Sequence, residues 1–174
     1  DHPTRDLMHD WLGRAGWTPY PLGLRPWALI ERIAAQRAVR PEQVVVGNGS
    51  SYLIQLLMSS VLHPGDAVVM PAPTFLAYRP AARMVQANCS EIPLRENEGF
   101  ALPVDALIEA AEVDDARLVV VCAPNNPTGW TLERAEQQAI LEHCRRTGTW
   151  IVADEVYERV YFREGARCAP GLLD

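Results

Sequence analysis

Short, unbroken apolar runs, separated by stretches of helical periodicity, leave this 174-residue chain few ways to fold. Residues 44–46, 67–70, 117–122 and 150–153 read as buried strands, and a less apolar strand falls near 90–94. After Arg117, the sequence Leu-Val-Val-Val-Cys offers no polar residue to either face of a pleat. A strand of that kind must be covered on both sides. Between the runs lie helical patterns. Pro26 can occupy the first turn of a helix whose apolar positions are Leu29, Ile30, Ile33 and Ala34. Residues 52–62 are apolar on most sides, through Leu53, Ile54, Leu56, Leu57, Met58 and Val61, which predicts a central, buried helix. Further helices are expected over 78–86 and 104–111. Another follows Thr131, a candidate cap with Glu133 in the first turn, Arg145 and Arg146 in the last, and Gly148 just beyond. Strands alternating with helices specify an α/β fold: three αβα layers around a mainly parallel sheet. There is no internal repeat and no low-complexity linker, so one domain is expected.

A net charge of −6 sets the average field against nucleic acid and anionic membranes. No apolar run reaches membrane-spanning length. Cys89, Cys122, Cys144 and Cys168 show no C-x-x-C spacing and fit reduced thiols in a cytoplasmic protein, with Cys122 a small buried hydrophobe. His2, His9, His63 and His143 lack metal-ligand spacing. They read as solvated, and no metal site is expected. All sixteen basic residues are arginine, so a phosphate-cradling P-loop lysine does not exist here.

Two motifs fall at the carboxyl ends of predicted strands, where open α/β sheets form their ligand crevice: Gly49-Ser50-Ser51 and Asp154. The first opens a helix, whose free N–H groups favour an anion by about 0.3–1 kcal/mol. Ser50 is equally suited to a plain N-cap. The pair Gly47 and Gly49 lacks the third glycine of a dinucleotide fingerprint. Asp154, if buried, needs a cationic or hydrogen-bonding partner, and as a helix cap or surface turn it needs none. Between these motifs, Pro124-Asn125-Asn126-Pro127-Thr128-Gly129 forms a rigid loop that holds an Asn amide at the sheet's edge, or merely turns the chain out of a strand.

The Asn126-Pro127-Thr128-Gly129 string followed by Asp154-Glu155-Val156-Tyr157 resembles the fold-type I pyridoxal-phosphate aminotransferases, class I/II. With Gly49-Ser50-Ser51 and Pro73-Thr74-Phe75 in place upstream, the resemblance runs from about Tyr20 to Tyr161. It implies a site for pyridoxal 5′-phosphate. Asn126 and Tyr157 would hydrogen-bond the ring's phenolic oxygen, and Asp154 would pair with the ring nitrogen and keep it protonated. Gly49, Ser50 and Ser51 would receive the phosphate. Phe75 would stack on the ring, though an ordinary core role suits it nearly as well. Tyr20 would reach the phosphate of a neighbouring subunit, which implies a homodimer. In many relatives the bond corresponding to Asn126–Pro127 is cis.

The resemblance further implies that residues 1–25 lead into a partial large domain, 26–174, incomplete at both ends. The small C-terminal domain, with its arginine clamp for the substrate carboxylate, would lie outside it. So would the Schiff-base lysine, which is both anchor and proton shuttle and is worth roughly 10²–10⁴-fold as an acid–base group. No catalytic residue is therefore assigned within the 174. The expectation is a piece of a longer transaminase, or a split or decayed gene product, that is silent alone yet able to hold the cofactor non-covalently. The implied reaction moves an amino group from an amino acid to a 2-oxo acid. A lyase or decarboxylase of the same fold, a ligand-sensing domain of a transcription regulator, and a generic α/β nucleotide-binding domain are the alternatives. Gly47-Asn48-Gly49-Ser50 and Pro73-Thr74-Phe75 look like the histidinol-phosphate branch, whereas Asp154-Glu155-Val156-Tyr157-Glu158 looks like the aspartate or aromatic branches. The substrate stays open.

Overall fold

The computed structural model describes residues 4–14, 26–162, 165 and 168–172. The chain divides into two compact units, Asp1–Val46 and Gly47–Asp174.

The first unit contains helices α1 (Thr4–Arg14) and α2 (Trp27–Arg37), then a short 3-10 turn, Pro41–Gln43. Pro26 serves α2 as N-cap rather than as a residue of its first turn, and Ile30 and Ala34 are its buried positions. Residues 44–46 do not form the expected strand. Val44 is extended, but the three residues pair with no strand among the described residues, and Val45 is 66% exposed. A β-branched run becomes a strand only where a neighbour supplies a ladder and a packing surface.

In the second unit, four strands lie in the order β2-β1-β3-β4, all parallel: β1 (Ala67–Ala72), β2 (Asn88–Pro93), β3 (Leu118–Cys122) and β4 (Trp150–Asp154). Helices α3 (Ser50–Val61), α4 (Tyr78–Met84), α5 (Val104–Val113) and α6 (Arg134–Thr147) cover both faces. Strand β3 explains the layering. Its pleat sends Leu118, Val120 and Cys122 into one core with Ile54 and Met58 of α3 and Tyr78 of α4. Val119 and Val121 enter the other core, with Leu107 of α5 and Ile140 and Cys144 of α6. All five residues of β3 are buried, each large apolar side chain contributing about 1.5–3 kcal/mol. The expected three-layer αβα fold is what the chain forms.

Four local readings change. Helix α3 buries Ile54 and Met58 only, one stripe at i and i+4, while Tyr52, Leu56 and Leu57 stay substantially exposed. Strand β4 lies at the edge of the described sheet, and Trp150 is half exposed. The cap of α6 is Glu133, not Thr131. The Glu133 backbone N–H donates to the Glu136 carboxylate at 2.7 Å, a reach three residues forward that Thr131 does not have. His143 is buried rather than solvated, because it shares the inward stripe of α6 with Ile140 and Cys144. Its Nδ1 lies 3.3 Å from Arg146 and 3.6 Å from Glu112. Among the described residues no helix is long and apolar enough to cross a membrane, and no cluster of His, Cys, Asp and Glu is suited to a metal.

Candidate active site

The strand order makes a crevice. From β1 the chain crosses to β2 on one side, and later from β3 to β4 on the other, so the loops leaving β1 and β3 diverge at the carboxyl edge. Phe75 stands in the loop after β1, Cys122 ends β3, Asn126 follows in the next loop, and Asp154 ends β4 with Val156 and Tyr157 just beyond. Together with Ser50 at the start of α3 these side chains line one cavity of about 80 Å³. That is below the roughly 300–1,000 Å³ typical of clefts for drug-sized ligands.

The two loops are tied together by Asn125, which is buried. Its Oδ1 accepts from the Thr74 hydroxyl at 3.0 Å, and its Nδ2 donates to the Pro73 carbonyl at 3.1 Å and to Thr128 Oγ1 at 2.6 Å. The peptide bonds Ala72–Pro73, Ala123–Pro124 and Asn126–Pro127 are cis, the last as the resemblance implied. This brace fixes where Asn126 emerges. The Asn126 amide in turn sits 3.4 Å from the Tyr157 hydroxyl, so one incoming acceptor can engage both.

Asp154 is held from two sides. Its Oδ2 accepts from the Tyr78 hydroxyl at 2.7 Å, and its Oδ1 from the Val156 N–H at 3.2 Å. Tyr78 is fully buried, and burial first, then the bond to Asp154, holds its phenol protonated far above the ordinary tyrosine range. Burial likewise raises the Cys122 thiol. Both groups therefore act as neutral hydrogen-bonding neighbours, not as nucleophiles. Phe75 meets Tyr78 edge to face, with ring centroids 5.7 Å apart.

At the other end of the cavity, α3 starts without any side-chain cap. Gly49 is its N-cap at φ 89°, a left-handed conformation that favours glycine, and Ser50 is the first helical residue instead of the cap. The backbone also passes close at Gly47, where a Cβ would fall 2.7 Å from Leu53. The first-turn N–H groups have no intrahelical partners and no cap, so this end favours an anion.

Ser50, Phe75, Asn126, Asp154 and Tyr157 are thus brought together. Gly49 shapes the turn beside them, Ser51 is exposed and does not line the cavity, and Tyr20 lies outside the described residues. Sequence reasoning missed Tyr78, Asn125, Cys122 and Val156 as parts of the site. Their signal was positional: Tyr78 stands three residues after Phe75, and Asn125 directly precedes Asn126. The donor set fits a flat ring with a protonated nitrogen at one end and a phosphate at the other. Asp154 supplies the acceptor, the start of α3 the anion site, and Phe75 an aromatic wall.

A parallel αβα sheet with this constellation at its switch point defines a class of ligand-binding α/β folds. Within it the chain belongs to the aminotransferase class I and II family, whose model matches residues 27–170. It is 37% identical over 138 residues to histidinol-phosphate aminotransferase 2 of Carboxydothermus hydrogenoformans, covering 79% of this chain and 36% of the relative. It is 39% identical over 129 residues to histidinol-phosphate aminotransferase 2 of Caulobacter vibrioides, covering 74% and 33%. Among solved structures, N-succinyldiaminopimelate aminotransferase from Mycobacterium tuberculosis matches 98% of this chain and 46% of its own length, at 32% identity and a TM-score of 0.83. The chain spans about a third of the length of these curated relatives.

Proposed function

We propose that this chain is the pyridoxal 5′-phosphate-binding portion of an aminotransferase that moves an amino group from an amino acid to a 2-oxo acid. One observation carries the reading: a single cavity joins the Asp154 carboxylate, the Asn126–Tyr157 pair, the Phe75 ring and the uncapped start of α3. When bound, the cofactor supplies a ring that draws electrons away from the substrate's α-carbon. Asp154 accepts a hydrogen bond from the protonated ring nitrogen and keeps the proton there. Asn126 and Tyr157 donate to the phenolic oxygen and fix the ring's rotation in the crevice. Phe75 covers the ring, and the turn at Gly49 and Ser50, with Ser51 in the same helical turn, receives the phosphate. Tyr20 serves the partner subunit's phosphate in a homodimer, a role supported by the sequence resemblance. The histidinol-phosphate class of donor is favoured by the two relatives named above.

The 174 residues include no lysine, so they supply no side-chain amine for covalent attachment. The chain binds the cofactor reversibly and does not turn over by itself. Equilibrium dialysis against pyridoxal 5′-phosphate tests this. Saturable binding is expected, weakened about tenfold or more by Asp154→Ala and by Asn126→Ala, each of which removes a hydrogen bond to a charged or strongly polar group. Binding that ignores both substitutions, or no binding at millimolar cofactor, refutes the reading.

A further inference from the structure

We propose that Tyr78 is a positioning residue for the cofactor's ring nitrogen, acting through Asp154. The inference rests on the cofactor reading above and adds a residue to it. Tyr78 starts α4 and has no access to the cavity, yet its hydroxyl donates to Asp154 Oδ2 at 2.7 Å. A buried hydroxyl without a partner is costly, so the pairing is enforced from the tyrosine's side too. The Val156 N–H donates to the other oxygen, Oδ1, at 3.2 Å. A carboxylate has about four acceptor positions, so two donors on different oxygens stop its rotation and still leave acceptor capacity for the cavity it lines.

The placement of Phe75 reinforces the point. The Tyr78 backbone N–H bonds the Phe75 carbonyl at 3.4 Å, and their rings pack edge to face. The cavity's aromatic wall and the brace of its acid are therefore one turn of chain. Tyr78 touches no reacting atom. Its contribution is to hold the acid where the ring nitrogen arrives.

The test compares two ligands, pyridoxal 5′-phosphate and its carbocyclic analogue with C–H in place of the ring nitrogen. The unaltered chain should prefer the natural cofactor by about tenfold or more, the scale of one charge-assisted hydrogen bond. Tyr78→Phe keeps the ring and removes the hydroxyl. It should erase most of that preference by weakening the natural cofactor, while the analogue binds as before. Asp154→Asn should also erase it, and adding Tyr78→Phe to Asp154→Asn should change nothing further. A purely structural tyrosine would weaken both ligands alike, and that outcome overturns the inference while leaving the cofactor reading intact. If the unaltered chain fails to discriminate, or binds neither ligand, the cofactor reading falls and the inference with it. A second measurement needs no variant to fold. NMR signals of the Tyr78 ring carbons beside the hydroxyl should shift with the natural cofactor and stay in place with the analogue. Equal shifts for the two ligands also overturn it.

Discussion

Replacing Asn125 by alanine should destabilise the fold by about 2–3 kcal/mol. The side chain is 4% exposed and makes three hydrogen bonds, to Thr74, Pro73 and Thr128. At a net 0.5–1.5 kcal/mol each, their loss is worth about 1.5–4.5 kcal/mol. Thr74 and Thr128 are half-buried and Pro73 exposed, so water recovers some of the orphaned capacity and the lower half of that range applies. For a chain of this size, about 2–4 °C of melting temperature per kcal/mol gives a drop of about 4–12 °C. Asn125→Asp is the sharper control. The Pro73 carbonyl only accepts, so an oxygen in place of the Nδ2 donor opposes it, and the aspartate should cost at least as much as the alanine. Urea unfolding at neutral pH measures both, read as midpoint shifts at constant slope. An alanine variant within about 0.5 kcal/mol of the parent, or an aspartate variant milder than the alanine, would show that the loops are not braced through this amide.

Thiol labelling at pH 8 should find Cys168 fast, Cys89 slower, and Cys122 and Cys144 protected until unfolding. Cys168 is exposed, whereas burial raises Cys89 and Cys122 and pushes Cys144 up to about 11. Rapid native labelling of Cys144 would contradict the packing of α6. The carboxyl of Glu112 is held below the usual range by its hydrogen bond and charge pairing with Arg146, with His143 adding to it. A depressed folded value means the pairing stabilises above the ordinary glutamate range and is lost as the pH falls through the folded value. Glu112→Gln should therefore lower the urea midpoint at pH 7, with the difference closing below about pH 4. A gap that stays constant down to pH 3 would rule the linkage out.

The sheet was legible because burial on two faces leaves an unmistakable residue pattern. Residues 118–122 could be nothing but an internal strand, and the punctuation around them placed β1, β2 and β4 to within two residues. The site was legible wherever a motif sits at a strand's carboxyl end, as Asn126 and Asp154 do. What escaped depends on partners remote in sequence. Residues 44–46 have strand composition but pair with no strand among the described residues. Apolarity all around α3 suggested full burial, yet only Ile54 and Met58 face inward. His143 illustrates the opposite error: its spacing from Ile140 placed it inward, and its polarity alone suggested water. Tyr78 bonds a residue 76 positions away, a separation that local periodicity does not encode.

Because the four described strands run the same way, the candidate site gathers on one rim, and the described connections at the opposite rim are returns. The turns at Asp114–Asp115 and Thr147–Thr149 are mostly exposed and enter the amino ends of β3 and β4, a full strand's length from the crevice. Lengthening such a loop adds little closure entropy. A peptide tag or a fluorescent reporter grafted there would ride on the scaffold without disturbing ligand contacts, whereas the same graft after β1 or β3 would land on Phe75 or Asn126.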